Sequence, residues 1–282
     1  MGIVGEFGIV FARKWIAGTR LDDAVRAAKD TNMHGYYAML NYLGEHLAEN
    51  DEVEATIGKY AELLGSMKRE KIKGSISVKL TQLGLSISPR LAERNFILVA
   101  GRARSAGVFT WIDAEEAEYA ETAKRIYLKA LKQRLNAGIC IQANLKRGFD
   151  DAKEISKAKG VIRLVKGAYT EKESVAFASR EEATENYARI MEYLFENSND
   201  TLIATHDDKL IHRALELEKK YGKRASFAML RGIRGRLANE LLEKGESVSI
   251  YIPFGEKWMD YSIRRLKEAG HAALLLRSIF QQ

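Results

Sequence analysis

Several things are scarce in this chain of 282 residues. Its one cysteine, Cys140, excludes an intrachain disulfide and any multi-cysteine metal or iron–sulfur site, and it fits a reducing compartment. Only two prolines occur, where average usage of about 5% would give roughly 14. Collagen-like and proline-rich disordered segments are therefore excluded, and most of the chain is left to regular structure. Long apolar runs are missing too. The opening MGIVGEFGIVFARKW is apolar over about ten residues and broken by Glu6, short of the ~20 residues a membrane-spanning helix needs. No positive residue precedes it, as a secretory signal requires. It reads as a packed terminal strand or helix, with a membrane-contacting element as the alternative. No GxGxxG or GxxxxGK[ST] phosphate loop is present.

What is present describes a soluble globular protein, 46% hydrophobic and 29% charged. A chain this long buries roughly three quarters of its unfolded surface, enough for a core without disulfides or structural metal. The net charge is +7, but cations and acids interleave, as in KREKIKG and EKESVAFASREEATE. Nucleic-acid binding is not expected. A mildly basic surface also suits anionic lipid or an acidic cofactor.

Eight short apolar runs recur: GYYAMLNY (35–42), SISVKL (75–80), VFTWID (108–113), GICIQA (138–143), VIRLV (161–165), LIAT (202–205), ASFAM (225–229) and VSIYI (248–252). Charged stretches between them carry helical periodicity, for example Ala117, Ala120, Ile126, Leu128, Leu131 and Leu135, or Asn186, Ile190, Met191, Leu194 and Phe195. Ser88 followed by Pro89 marks a helix start, while Gly107, Gly138 and Gly222 fall where helices should stop. Strands spaced roughly 30 residues apart and alternating with helices need parallel pairing and right-handed crossovers, and eight such units in about 250 residues make a (βα)8 TIM-type barrel. A helix over 21–32 precedes the first strand. The expected division is an N-terminal extension at 1–34 and a barrel at 35–282. An open doubly wound sheet is the rival, but it should carry a glycine-rich phosphate turn.

Barrel chemistry sits at the carboxyl ends of the strands. Those ends carry Glu45, Lys79, Asp113, Gln142, Arg163 with Lys166, His206 and Tyr251. Burying that many polar groups costs several kcal/mol unless they pair with one another or with a ligand. Each has an ordinary reading as well. Lys79 could snorkel to the rim, Asp113 could cap the next helix through Glu116 at the capping-box spacing, His206 could be a hydrogen-bonded structural histidine, and Gln142 could be a packing residue. Arg163 and Lys166 beside Gly167 make a bed for phosphate, or a surface ion pair. Tyr261, Arg264 and Arg265 share one helix face, suited to gripping a small carboxylate, or else they are a solvated basic face.

Taken together, Tyr42-Leu43-Gly44-Glu45, Ser77-Val78-Lys79-Leu80, Ile112-Asp113-Ala114-Glu115-Glu116, Ile141-Gln142-Ala143, Arg163-Leu164-Val165-Lys166-Gly167-Ala168-Tyr169, Ala204-Thr205-His206-Asp207, Tyr251-Ile252-Pro253-Phe254-Gly255 and Tyr261-Ser262-Ile263-Arg264-Arg265 resemble, in order, the proline dehydrogenase family. The resemblance implies a distorted barrel holding non-covalent FAD, and oxidation of L-proline to Δ1-pyrroline-5-carboxylate by hydride transfer, with electrons passed to a quinone. It implies that Lys79, Arg264 and Arg265 bind the proline carboxylate, that Asp113 pairs with Lys79 and Glu45 with Arg264, and that Tyr169, Leu230, Tyr251 and Tyr261 wall the ring. Gln142, Arg163, Lys166, Ala168 and His206 fall to the cofactor, with Lys79, Asp113 and Arg163 as the catalytic set and no metal. The chain departs from the family pattern at Ala228, Arg231 and Thr170. The expected location is the cytoplasm, with peripheral contact at the inner face of the membrane. Two other functions fit the same barrel: a Schiff-base aldolase using Lys79, and a non-catalytic basic binding barrel.

Overall fold

Strands of an all-parallel sheet are covered on both faces, so they read as short apolar runs, and each of the eight runs forms a strand. The computed structural model describes residue 12, residues 14–198 and residues 200–267, without the side chains of residues 260 and 264–267. Along the chain come α1 (Leu21–Met33), β1 (Tyr37–Tyr42), α2 (Asn50–Arg69), β2 (Gly74–Val78), α3 (Pro89–Ser105), β3 (Phe109–Ile112), α4 (Ala117–Lys132), β4 (Ala137–Gln142) and α5 (Gly148–Lys157). Then follow β5 (Val161–Val165), α6 (Arg180–Asn197), β6 (Thr201–Ala204), α7 (Asp208–Tyr221), β7 (Ser226–Leu230), α8 (Gly235–Glu243), β8 (Ser247–Phe254) and α9 (Trp258–Lys267). The strands pair in sequence order, all parallel, and β8 closes on β1 to complete a (βα)8 barrel.

Local chemistry sets the element ends. Ser88 Oγ accepts the Leu91 amide at 3.2 Å with Pro89 in the first turn of α3, which satisfies an otherwise orphaned donor. Gly107 and Gly222, at φ +72° and +62°, follow α3 and α7, where a left-handed residue releases the chain. Gly138 does something else. It lies inside β4, paired with Trp111 on β3, and a Cβ there would fall 2.4 Å from the indole ring. Glycine at this position makes room for a tryptophan in the lumen rather than ending a helix.

The core has two layers. Outward-facing strand residues such as Leu40, Ile76, Ile112, Leu164 and Ile203 pack under the helices. Inward-facing Met39, Trp111, Leu202 and Ala228 fill the lumen, with Tyr251 packed against them.

β8 runs to Phe254, beyond the expected end at 252, and so contains Pro253. On one side it stays paired with β1 through Phe254. On the other, β7 stops pairing at Tyr251, and the N-terminal segment takes its place: the Ala17 amide donates to the Pro253 carbonyl at 2.8 Å and the Gly255 amide to the Gly18 carbonyl at 3.0 Å. A proline is tolerated where its missing N–H has no ladder partner to serve.

Candidate active site

Strand parity dictates what meets at the mouth of the barrel. Ser77, Trp111, Cys140 and Arg163 stand on neighbouring strands in register, Ser77 opposite Trp111 and Cys140 opposite Arg163, so their side chains share the lumen. Asp113 and Lys79, two residues beyond Trp111 and Ser77, continue the same faces to the rim. The Asp113 carboxylate collects them. It accepts from Lys79 Nζ at 3.1 Å, Tyr251 Oη at 2.7 Å and Ser77 Oγ at 2.8 Å, and it pairs closely with the Arg163 guanidinium.

Asp113 and Arg163 are buried, at 8% and 3% exposure. Burial opposes ionisation of Asp113, but Lys79 and Arg163, helped by the Tyr251 and Ser77 hydroxyls, win and hold its carboxyl well below the ordinary range. Burial likewise works against the Lys79 ammonium, and the Asp113 charge overturns it, so the lysine titrates well above its usual value. Burial and then the Asp113 charge push the Tyr251 phenol up, which keeps it a donor. The capping role for Asp113 is thus corrected: α4 begins after Glu116, and its Ala117 amide donates to Glu171 at 2.7 Å.

Arg163 has a seat that sequence reasoning missed. Its Nε donates to Cys140 Sγ at 2.7 Å, one terminal nitrogen lies against Met39 Sδ, and another donates to Ser77 Oγ at 3.0 Å. The Trp111 ring lies 5.3 Å from the guanidinium carbon, within cation–π range. Burial pushes the Cys140 thiol up to about 11, so the sulfur stays neutral and accepts the bond. In the sequence, Met39 and Cys140 read as apolar strand residues.

Above this floor opens a cavity of about 1150 Å³, whose lining includes Met39, Lys79, Asp113, Cys140, Arg163 and Tyr251. Its walls bring in Glu45, Lys166, Ala168, Tyr169, His206, Leu230 and Tyr261. Tyr169 Oη donates to Glu45 Oε2 at 3.3 Å, and Lys166 Nζ reaches Asp207 at 2.9 Å. The His206 Nε2 accepts the Leu230 amide at 3.1 Å, which makes Nδ1 the protonated nitrogen of the neutral ring. Arg234 also lines the cavity, donating to the His206 carbonyl at 2.7 Å and to Asp208 at 2.6 Å. Its place in LRGIRG, between two glycines after β7, was the available signal.

Three expected residues stand differently. Gln142 shares inward parity with Cys140, yet its amide donates to the Glu115 carbonyl at 2.7 Å. It borders a separate void of about 30 Å³ beside β4 rather than the main cavity. Arg264 and Arg265 follow the cavity-lining Tyr261 by three and four positions on α9, hence on its helix face, but their side chains lie outside the described residues. Of the departures from the family pattern, Ala228 lines the cavity, whereas Arg231 and Thr170 are not among its described lining. Among the described residues, no group of three or more His, Cys, Asp or Glu is placed to hold a metal ion.

Known proteins resemble this chain in sequence and in fold. The sequence model for proline dehydrogenase matches residues 24–277. Proline dehydrogenase 1 of Bacillus subtilis subsp. natto is 31% identical over 275 residues, covering 96% of this chain and 91% of that protein. The proline dehydrogenase of Deinococcus radiodurans is 27% identical over 274 residues, or 93% of this chain and 87% of that protein. Among solved structures, proline utilization A from Bdellovibrio bacteriovorus, inactivated by N-propargylglycine, superposes with a TM-score of 0.87 at 22% identity. That likeness is one of fold. It covers 96% of this chain but 34% of the larger protein, so the chain spans about a third of that protein's length. With a family match across most of the sequence, on a barrel of the expected kind, the chain belongs to the proline dehydrogenase family.

Proposed function

We propose that the barrel mouth seats L-proline against Lys79 and α9, with FAD in the remainder of the same cavity. The reaction is oxidation of L-proline to Δ1-pyrroline-5-carboxylate, the first step of proline catabolism. The observation that carries the residue assignment is the Asp113 cluster, a buried carboxylate that fixes a lysine, an arginine and a tyrosine on the floor of an open cavity.

The residues fit the cofactor. About 1150 Å³ exceeds the roughly 300–1,000 Å³ of a typical small-ligand pocket, and a five-membered ring fills a small part of it. Lys166, Arg234 and His206 border the cavity with donors suited to an anionic dinucleotide, while Ala168 and Leu230 offer apolar surface to a flat ring. Gln142 is left out of the assignment because its amide is committed to Glu115. When bound, FAD supplies the acceptor for the hydride that leaves proline C5.

The chain's own residues supply binding and orientation. Lys79 presents a permanent positive charge to the substrate carboxylate, with Arg264 and Arg265 completing the grip. Asp113 prevents the buried lysine from losing its proton and holds Tyr251 as a neutral donor beside the ring. Tyr169, Leu230 and Tyr261 close around the ring, Glu45 orients Tyr169, and Arg163 holds its charge beneath the site. The amine proton passes to solvent, since Asp113 is held too acidic to take it. The same electrostatics disfavour the Schiff-base reading, which needs Lys79 as a neutral amine.

The extension at 1–34 and the barrel at 35–282 act together as one catalytic unit. A quinone is the proposed destination of the electrons, which puts the working enzyme in the cytoplasm at the membrane surface. The basic charge balance and the apolar opening of the sequence support that placement. No helix among the described residues is long and apolar enough to cross a membrane. The test of the main reading is the visible spectrum of purified protein before and after anaerobic L-proline. Bound flavin bleached by proline is the expected result; no flavin uptake on reconstitution, or flavin that proline leaves oxidised, would overturn it.

A further inference from the structure

Residue 12 and the segment 14–18 lie against the carboxyl end of the barrel rather than trailing from it. Ala12, Trp15 and Ile16 are buried with Leu43, Ile233, Trp258 and Tyr261, and Leu230 and Tyr251 pack onto the same cluster. Of these partners, Leu43, Leu230, Tyr251 and Tyr261 also line the cavity. One apolar cluster therefore has the site on one side and the segment on the other.

Polar bonds fix the segment to α9 and β8. Trp15 Nε1 donates to Ser262 Oγ at 3.0 Å, across 247 positions of sequence, and Ser262 Oγ donates in turn to the Trp258 carbonyl at 2.8 Å. Both residues are 6% exposed. The main-chain bonds from Ala17 and Gly255 tie the segment to the end of β8. Gly232 backs it from the β7 side, where a Cβ would fall 2.0 Å from the Lys14 carbonyl oxygen.

We propose that Trp15, acting through Ser262, is a positioning residue for substrate: it sets the pose of α9 and with it Tyr261, Arg264 and Arg265. Ser262 stands next to Tyr261 and two and three positions before the arginines, so a small rotation of α9 moves the whole face. An indole N–H has one direction in which to donate, and a buried bond of this kind fixes rotation about the helix axis more sharply than apolar packing. The inference rests on the proline-oxidising reading of the site.

The test compares Trp15→Phe, Ser262→Ala and Ser262→Thr as flavin-loaded enzymes. Trp15→Phe and Ser262→Ala should each raise KM for L-proline by about three- to tenfold, leave kcat and flavin content within about twofold, and speed tryptic cleavage after Arg264 and Arg265. The double variant should be no worse than either single one, because both remove the same bond. Ser262→Thr, which keeps the hydroxyl, should restore KM. Overturning results are an unchanged KM in both variants, a loss confined to kcat or flavin content, or additive effects in the double variant. If wild-type enzyme itself fails to oxidise proline, the functional reading has failed and this inference with it. If wild type is active and the variants match it, only the inference fails.

Discussion

Two buried aspartates among the described residues are each gripped by one lysine and one arginine, yet only one of them lines the main cavity. Asp113 is held by Lys79 and Arg163 in the lumen; Asp151 is held between α4 and α5 by Lys124 at 2.9 Å and Arg147 at 2.6 Å. They are similarly buried, at 8% and 6% exposure. What separates them is where the remaining valence of the cations goes. Lys124 also pairs with Glu121 at 3.2 Å and Glu154 at 2.7 Å, and Arg147 pairs with Glu121 too, so that network closes on itself at the helix surface. Asp113 is the one ion-pair partner of Lys79 among the described residues, and the other side of that lysine is cavity. Cations saturated by acids make a brace, whereas a lysine held on one side and open to a cavity on the other is placed to meet a ligand.

The sharpest way to break that contrast is to neutralise each aspartate network in turn. Asp113→Asn should lower kcat/KM for proline by two orders of magnitude or more, because it leaves two buried cations competing for the substrate carboxylate in the wrong places; about 3 kcal/mol of transition-state binding corresponds to that factor. Steady-state kinetics on the flavin-loaded variant provide the check, and activity within tenfold of wild type would refute the role given to Asp113. Lys124→Met should do the opposite. Loss of the brace leaves Asp151 to Arg147 alone and should cost about 2 kcal/mol of stability, read as a lower urea midpoint, while kcat/KM stays within about twofold.

A smaller effect comes from acid. Because the Asp113 carboxyl titrates well below its ordinary range in the folded protein, the unfolded chain binds its proton first as pH falls. Its stabilising contribution is complete above the unfolded carboxylate pKa and is lost as pH drops from about 5 toward 2. Asp113→Asn should therefore unfold with a shallower pH dependence over that interval, and an unchanged slope would remove Asp113 from the groups that govern acid stability.

How far the sequence could be read follows from the range of the interactions. Strands and helices announce themselves through neighbours two to four positions away, so the eight strand runs, α1 and the Ser88 cap were legible. Strand-end polar residues were legible too, because a barrel sends them to one face; Lys79, Asp113, Arg163 and Tyr251 do meet there. Residues whose role depends on a partner on another strand were not. Gly138 looked like punctuation until Trp111 was beside it, Cys140 and Met39 looked like filler until Arg163 bonded to them, and Gln142 turned toward a backbone carbonyl that no spacing rule marks. The family resemblance named the cofactor and substrate, which composition and periodicity alone could not.

The bond between Trp15 and Ser262 also sets an order of events during synthesis. At roughly 5–20 residues per second, on the order of tens of seconds separate translation of the tryptophan from translation of its partner. Until then the cluster that buries Trp15 lacks Trp258 and Tyr261, β1 lacks its β8 neighbour, and the edge of β8 that receives residue 17 does not exist. The emerging chain thus carries an uncovered aromatic near its start until its last described helix has left the ribosome. Completion of the barrel, burial of that tryptophan and seating of α9 all wait for the same last stretch of chain.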